Sequence, residues 1–221
     1  YDLFGLERVA QATGFKYFGS HDWYRELAGR VVPVQWKNGA FGRSPEGFDA
    51  VAETAFTVLF LTRGRAPVMM NKLRFDGAWA NRPHDLDHLS RFASRELERP
   101  INWQVVPVSR KFTDWADSPI LYIASNQPIN FAPADLENLR NFVRAGGMIF
   151  TQADNSNAAF NAYVDNTLAP TLFPQYPMRA VDENDLIYSC QYRIKSPPPR
   201  LKGVWNGSRW LLVHSATDLS S

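Results

Sequence analysis

Apolar residues recur at helical spacing in the first part of the chain. The spacing predicts helices over residues 2–13, 21–35 and 49–63, with a polar turn at 35–42. The third predicted helix is apolar on nearly every side, which is typical of a helix enclosed by other helices. Because the first 64 residues are too few to enclose it, we expect further helices or a partner protein to cover it.

After the break at Gly64–Pro67, short apolar runs alternate with amphipathic stretches. Strands are predicted at residues 67–73, 102–108, 120–124, 147–152 and 210–214. Helices are predicted at residues 85–98, 133–145 and 156–172, and the tail before residue 210 has an irregular pattern. The alternation predicts an α/β fold with a doubly wound, mainly parallel sheet of five or more strands, preceded by an all-α segment. The predicted domains are residues 1–64 and 65–221.

Composition and charge narrow the class of function only a little. The 24 basic side chains nearly balance the 22 acidic ones, so nothing in the charge favours a nucleic-acid partner. The single cysteine excludes an internal disulfide and a zinc site built from cysteines, and no apolar run is long enough to span a membrane. Since the chain begins at Tyr1 directly in a helical pattern, we expect it to be a fragment of a larger protein.

Three stretches of the first 68 residues carry a resemblance to known proteins. They are Tyr17–Tyr24 with the turn at 35–42, which is similar to a glutamine–tryptophan repeat, and Thr54–Val68. In these stretches the chain resembles the closing helices of the α/α toroid of squalene–hopene cyclases and prenyltransferase β-like proteins. The resemblance implies a partial toroid and carries no activity, because neither the acidic cluster of the cyclases nor the zinc ligands of the prenyltransferases is visible here.

The remainder resembles a bacterial family known as domain of unknown function 4159. The matching motifs are Asn71–Leu73, Trp79 with Asn81–Pro83, Leu97–Trp103, Pro119–Tyr122, Leu139–Gly147 and Ser215 with Asp218–Leu219. The resemblance implies a flavodoxin-like sheet similar to that of class I glutamine amidotransferases, and it implies no known reaction. It also implies a bacterial, exported or membrane-associated setting, and therefore an extracytoplasmic location.

Polar residues follow several predicted strands, at what we call the carboxyl edge of the sheet. Open α/β sheets bind ligands at this edge. The candidate ligand-binding residues are Asp76, Trp79, Asn81, Arg82, Ser125, Asp154 and Asn155. Other polar residues at the same edge are Asn126, Gln127, Ser156, Asn157, Ser215 and Asp218.

Each main candidate also has a structural interpretation. Asp154 or Asn155 would cap the helix that follows, since capping residues are expected there. Arg82 would either clamp an anion or pair with Asp76 or Asp85, and Trp79 would fill a gap under its loop. The sequence leaves these alternatives open.

No catalytic constellation is predicted. A strand-to-helix elbow with a serine or cysteine nucleophile is missing from the sequence. His84 and His88 have the spacing of a zinc helix but lack its glutamate, so we expect a solvated face and no metal site. His214 lies in an apolar strand and is expected to be a satisfied core or edge histidine, and Cys190 has no neighbour that would activate it.

The sequence favours a non-catalytic interaction or ligand-binding module that acts within a larger protein or assembly. Its expected partners are other protein chains or the rest of the same chain, and no cofactor is predicted. One alternative is a hydrolase or amidotransferase-like enzyme that uses Asp154 with a metal or water. Another is an appendage of a terpenoid-cyclase-like toroid, in which the activity belongs to residues before Tyr1.

Overall fold

A computed structural model describes residues 2–64, 66–192, 194 and 197–220. The elements of the first part are helix α1 (Asp2–Thr13), the short strands β1 (Tyr17–Phe18) and β2 (His21–Asp22), helix α2 (Trp23–Val31) and helix α3 (Phe48–Gly64). A 3-10 turn, Val32–Val34, extends α2. The three predicted helices are confirmed, although the second ends earlier than its apolar pattern indicates.

Aromatic residues hold the helices of the first part together. The rings of Phe4 on α1 and Phe56 on α3 lie 5.2 Å apart, and Trp23 packs against Phe60 at 6.1 Å. Helix α2 starts where the sequence provides a cap, since the Asp22 carboxylate accepts a hydrogen bond from the backbone of Arg25. The first part is therefore packed around the inner faces of α1 and α3.

The outer side of α3 is apolar and exposed. Phe48 is 85% exposed, Val51 68% and Val58 44%, whereas Phe60 is buried on the inner side. That further helices or a partner protein cover this side of α3 stays a prediction. Among the described helices, none combines the length and the hydropathy needed to cross a membrane.

The second part alternates strands and helices, as the sequence predicts. Its strands are β3 (Val68–Arg74), β4 (Asn102–Pro107), β5 (Ile120–Ser125), β6 (Met148–Ala153), β7 (Met178–Ala180), β8 (Leu201–Trp205) and β9 (Trp210–Ser215). Its helices are α4 (Asp85–Glu96), α5 (Pro133–Arg144), α6 (Ala158–Tyr163) and α7 (Ala169–Leu172), and a π turn, Val164–Leu168, joins the last two.

The seven strands β3 to β9 form one mostly parallel sheet in the order β4-β3-β5-β6-β9-β8-β7. Strands β3, β5, β6 and β9 pair in parallel, whereas β8 and β7 are added in antiparallel fashion. The predicted mixed α/β fold with a mainly parallel sheet of five or more strands is confirmed, whereas its doubly wound arrangement stays a prediction. Strands β7 and β8 lie in the tail whose pattern is irregular.

The chain divides into two compact units. One comprises Tyr1–Met69 with Leu86–Val106, and the other comprises Met70–Asp85 with Pro107–Ser221. The domain boundary between residues 64 and 65 stays a prediction.

Helix α5 shows how the pattern builds the core of the second unit. Pro133 occupies its first turn, and its apolar face buries Leu139, Phe142 and Val143. Gly146 follows the helix with a φ of +112°, the left-handed conformation in which glycine commonly ends helices. The helix predicted over residues 133–145 is confirmed, and it ends at Arg144.

Helix α4 differs from the expected pattern. The sequence predicts one apolar face with Leu86, Leu89, Phe92, Ala93 and Leu97, but only Leu86 of these is buried. Ser90 is buried instead, and its hydroxyl donates to the Asp87 carbonyl, which satisfies it. The helix is therefore rotated, and Phe92 remains 50% exposed.

Gly203 permits the close pairing of β8 with β9, and replacing it with alanine should weaken the sheet. A Cβ at this position would lie 2.7 Å from the Leu212 carbonyl oxygen and 2.7 Å from the Trp210 ring. We expect Gly203→Ala to lower the free energy of unfolding by about 1–3 kcal/mol in urea titrations, because the backbone oxygen cannot move away. Gly29→Ala is the control, since a Cβ in α2 meets no atom within 4 Å. It should be neutral or stabilising by up to about 1 kcal/mol, and equal losses in both variants would contradict the prediction.

Candidate functional site

A buried ion pair lies beneath the loop that follows β3. The Nζ atom of Lys72 lies 2.7 and 2.8 Å from the two carboxylate oxygens of Asp85, and it donates to the Arg82 carbonyl at 2.6 Å. The two side chains are only 2% and 4% exposed. Because a buried charge is costly unless it is paired, this arrangement fixes the strand, the loop and the first residue of α4 relative to each other.

Tyr122 on β5 completes the surroundings of the ion pair. The centre of its ring is 5.7 Å from the Lys72 ammonium, a cation–π distance. Burial raises the pKa of Tyr122 far above its usual range, and the Asp85 and Asp154 carboxylates raise it further. The hydroxyl therefore stays protonated and acts only as a neutral hydrogen-bonding group.

Asp218, just after β9, is the most heavily bonded carboxylate of the carboxyl edge. Its Oδ2 accepts from Arg82 Nη2 at 3.0 Å and from the Asn155 backbone at 2.9 Å. Its Oδ1 accepts from Gln152 and from both the backbone and the hydroxyl of Ser220. Burial alone would raise the pKa of Asp218, but these donors outweigh it and lower the pKa to about 2.

Asp154, directly after β6, is a second carboxylate of the edge and has the opposite environment. It is 1% exposed, and its Oδ2 accepts one hydrogen bond, from Asn81 Nδ2 at 2.9 Å. Its Oδ1 is buried and has no hydrogen-bond partner among the described residues. Burial raises the pKa of Asp154 above its usual range, against the opposing influence of the Asn81 and Gln152 amides. Asp154 Oδ1 is thus an unpaired acceptor inside the protein.

The backbone after β6 is strained. Asn155 and Ser156 both have a φ of +53°, although neither is glycine. The strain is held by side chains, because Asn155 Oδ1 accepts from Arg82 Nη2 at 3.0 Å and the Ser156 hydroxyl accepts from the Asp218 backbone at 3.0 Å. Strained non-glycine residues of this kind cluster at ligand and active sites.

The expected capping role of Asp154 or Asn155 is wrong. The cap of α6 is Asn157, whose side-chain Oδ1 accepts from the backbones of Ala159 and Phe160 at 2.9 and 3.0 Å. The left-handed turn at Asn155 and Ser156 delays the helix, and this moves the capping position by two or three residues.

The structure brings together four of the seven predicted site residues: Asn81, Arg82, Asp154 and Asn155. Trp79 lies half-buried in the same loop as Asn81, whereas Asp76 is exposed to solvent. Ser125 is fully buried and closes the turn after β5, because its hydroxyl donates to the Gln127 carbonyl at 2.9 Å.

The partner predicted for Arg82 is also wrong. Arg82 pairs with Asp218, which lies 136 residues away in the chain, and not with Asp76 or Asp85. Asp85 is taken by Lys72.

Sequence reasoning missed the ion pair and its neighbours as parts of the site: Lys72, Asp85, Tyr122 and Gln152. One signal was available, because a lysine in the middle of an apolar strand must find a buried partner. Asp218 was placed at the edge but not among the candidates, since its role depends on a contact between distant residues.

His214 belongs to the core of the sheet. His214 is fully buried, and its ring nitrogens bond to Thr151 Oγ1 and Asn161 Oδ1, both at 2.9 Å. Burial lowers the pKa of His214 to about 4, so it is a neutral core histidine, as predicted. His84 precedes α4 and His88 lies within it, and the described part of the chain holds no group of three potential metal ligands. Cys190 is exposed.

The sequence was also compared with known proteins. The model of a family described as a domain of unknown function, DUF4159, matches residues 67–220. The chain belongs to the DUF4159 family. The match includes every residue of the network described above, from Lys72 to Ser220. Among curated proteins, none matches this chain.

Removing the Asp218 carboxylate should reproduce an acid-induced loss of stability. Because its pKa in the folded state is lowered to about 2, Asp218 stabilises the fold above the unfolded pKa of about 4. This contribution is lost as the pH falls from about 4 to about 2. We expect Asp218→Asn to lower the free energy of unfolding by about 2 kcal/mol at pH 7 and to have little effect near pH 2. Urea titrations at several pH values measure this difference. Asp76→Asn is the control, because it removes the same charge from an exposed residue and should leave the free energy of unfolding unchanged. An equal loss in both variants would refute the stabilising role of Asp218.

Breaking the buried ion pair should cost more than removing both charges. Lys72→Met leaves the Asp85 carboxylate buried without its cation, and we expect a loss of about 3–5 kcal/mol. The double variant Lys72→Met with Asp85→Leu should recover most of this loss, because no charge is then buried. Chemical denaturation of the single and double variants gives the coupling. If the losses of Lys72→Met and Asp85→Leu add up to the loss of the double variant, the two side chains are not coupled. The pair then does not constrain the fold as described.

Proposed function

We propose that this chain is a non-catalytic module that binds a ligand at the carboxyl edge of its sheet and acts within a larger protein. The observation that carries the proposal is the unpaired acceptor of Asp154, whose buried Oδ1 lacks a partner among the described residues. Arg82 Nε is a second buried atom without a hydrogen-bond partner among the described residues. Leaving such atoms unsatisfied costs roughly 1–3 kcal/mol each, which a bound ligand would offset.

The chemistry of these two atoms suits a hydroxyl group. A hydroxyl group can donate to an acceptor such as Asp154 Oδ1 and can accept from a donor such as Arg82 Nε. Neighbouring residues hold both side chains, since Asn81 bonds to Asp154 and Arg82 bonds to Asn155. We infer a neutral polyhydroxylated ligand, such as a sugar or a cyclic polyol. Pockets for such ligands commonly use a few fixed polar groups of this kind.

We further propose that the sheet is flavodoxin-like and doubly wound. If β3 is counted as the first strand of the domain, the neighbours β4, β3, β5 and β6 are its strands 2, 1, 3 and 4. The order 2-1-3-4 is the beginning of the flavodoxin-like order. In such sheets the ligand crevice opens where the order reverses, between the first and third strands. Here those strands are β3 and β5, and the loop after β3 carries Asn81 and Arg82.

The helical part supports the proposal of a larger assembly. We propose that α1 to α3 are the last helices of an α/α toroid, and that other helices or protein chains cover the exposed side of α3. The support is the exposure of Phe48, Val51 and Val58 on that side. A bacterial, extracytoplasmic location remains part of the proposal and rests on the family resemblance alone.

A catalytic alternative has one observation in its favour. The raised pKa of Asp154 is typical of carboxylates that act as general acids or bases in clefts. In that case the site is that of a hydrolase or an amidotransferase-like enzyme. The two functions differ in whether Asp154 is needed for binding alone or for turnover.

Binding of polyols tests the proposal. Saturation-transfer NMR with D-glucose, N-acetylglucosamine and myo-inositol as probes should show binding of at least one. Asp154→Asn replaces the unpaired acceptor with a donor, and we expect it to weaken that binding about tenfold. The matched control is Asp76→Asn, which makes the same change at an exposed residue of the loop after β3 and should bind as the native chain does.

Two results would overturn the proposal. One is the absence of binding for all three probes, and the other is equal binding by the native chain and Asp154→Asn. Turnover of p-nitrophenyl glycosides that disappears in Asp154→Asn would instead support the catalytic alternative.

A further inference from the structure

A cavity lies at the opposite ends of the strands, where α5 ends and β6 and β9 begin. Its volume is about 490 Å³, within the range of pockets that hold small organic ligands. Three arginines line it, Arg140, Arg144 and Arg209, and none of the described residues that line it is acidic. The rest of the lining includes the apolar side chains of Val143, Leu172, Phe173 and Leu211.

The arginines of this cavity carry more positive charge than their surroundings neutralise. Arg140 and Arg144 share one carboxylate, that of Glu137, at 3.1 Å each. Arg209 donates instead to the backbone carbonyls of Val143 and Gly147, which leaves its charge unneutralised. Three cations and one anion therefore give the cluster a net charge of about +2, which favours an anionic ligand.

Two of the guanidinium groups are held in place before any ligand arrives. Arg209 is fixed by its two carbonyls, and Arg140 is fixed by Glu137 and by the Thr171 carbonyl at 2.8 Å. Each group uses only two of its five N–H donors in these bonds, so donors remain for a ligand. Because the side chains are already ordered, binding loses little conformational entropy.

The apolar part of the lining determines the class of anion. Phe173 and Leu211 are buried, and Tyr176 is half-buried beside them in the lining. A small inorganic ion would leave this apolar surface uncovered, whereas an aromatic or aliphatic group would cover it. We propose that this cavity binds a small organic anion, in which a phosphate or carboxylate group is joined to an apolar body. This site is separate from the carboxyl edge and does not rest on the function proposed above.

Isothermal titration calorimetry with phenyl phosphate as the probe tests this site. Benzoate is the carboxylate arm, and inorganic phosphate is the arm without an apolar body. We expect phenyl phosphate or benzoate to bind at least about tenfold more tightly than inorganic phosphate, and added salt to weaken binding. The two aromatic probes also distinguish a phosphate site from a carboxylate site.

Substitution of an exposed arginine locates the binding. We expect Arg144→Gln to weaken binding of the preferred probe about fivefold to tenfold. The fold should tolerate this change, since the Arg144 side chain is 68% exposed. Arg91→Gln is the matched control, because Arg91 is 71% exposed, pairs with a carboxylate on its own helix and lies outside the cavity. It should leave binding unchanged, and thermal unfolding should show both variants folded.

Three results would overturn the inference. The first is no binding of either aromatic probe. The second is an affinity for inorganic phosphate equal to that for phenyl phosphate, which would mean that the apolar lining contributes nothing. The third is equal weakening by Arg144→Gln and Arg91→Gln, which would mean that any cation of the surface serves.

Discussion

The buried pair of Lys72 and Asp85 is the constraint on which the carboxyl edge depends. A lysine in the centre of a strand cannot lie buried without a carboxylate, so the chain must return to β3 at Asp85, thirteen residues later. The same ammonium group donates to the Arg82 carbonyl, which fixes the loop between them. Once this loop is fixed, Asn81 and Arg82 reach Asp154 and Asp218 at the ends of β6 and β9. One ion pair thus positions polar groups that come from three strands.

Two carboxylates of the edge, Asp218 and Asp154, show how the number of donors affects a pKa. Asp218 accepts five hydrogen bonds, two of them from the backbone, and its pKa falls despite burial. Asp154 accepts one, and burial dominates, so its pKa rises. The same residue type therefore has opposite protonation behaviour at neighbouring positions of one edge. This contrast makes Asp218 a structural anchor and leaves Asp154 as the group with an unpaired acceptor.

Local pattern was sufficient to predict most of the elements, but not their contacts. Helix α5 could be predicted from Pro133 to Gly146, because its start, face and end are all encoded within a few residues. Strands β7 and β8 could not, because they are short and antiparallel and depend on the register with β9. The loop residues Asn81, Arg82, Asp154 and Asn155 could be placed at one edge by topology alone. The pairing of Arg82 with Asp218 could not be predicted, since the two residues lie 136 positions apart and several carboxylates were equally available.

The extent of the family match bears on how the site is built. The match spans residues 67–220, and the network begins at Lys72 in the first strand of this range and ends at Ser220. Asp218 and Ser220, after the last strand, bond to Arg82 and Gln152 near the ends of earlier ones. The carboxyl edge is therefore complete only when both ends of the matched region are present, because its best-bonded carboxylate comes last in the sequence. It follows that the DUF4159 region carries the whole site.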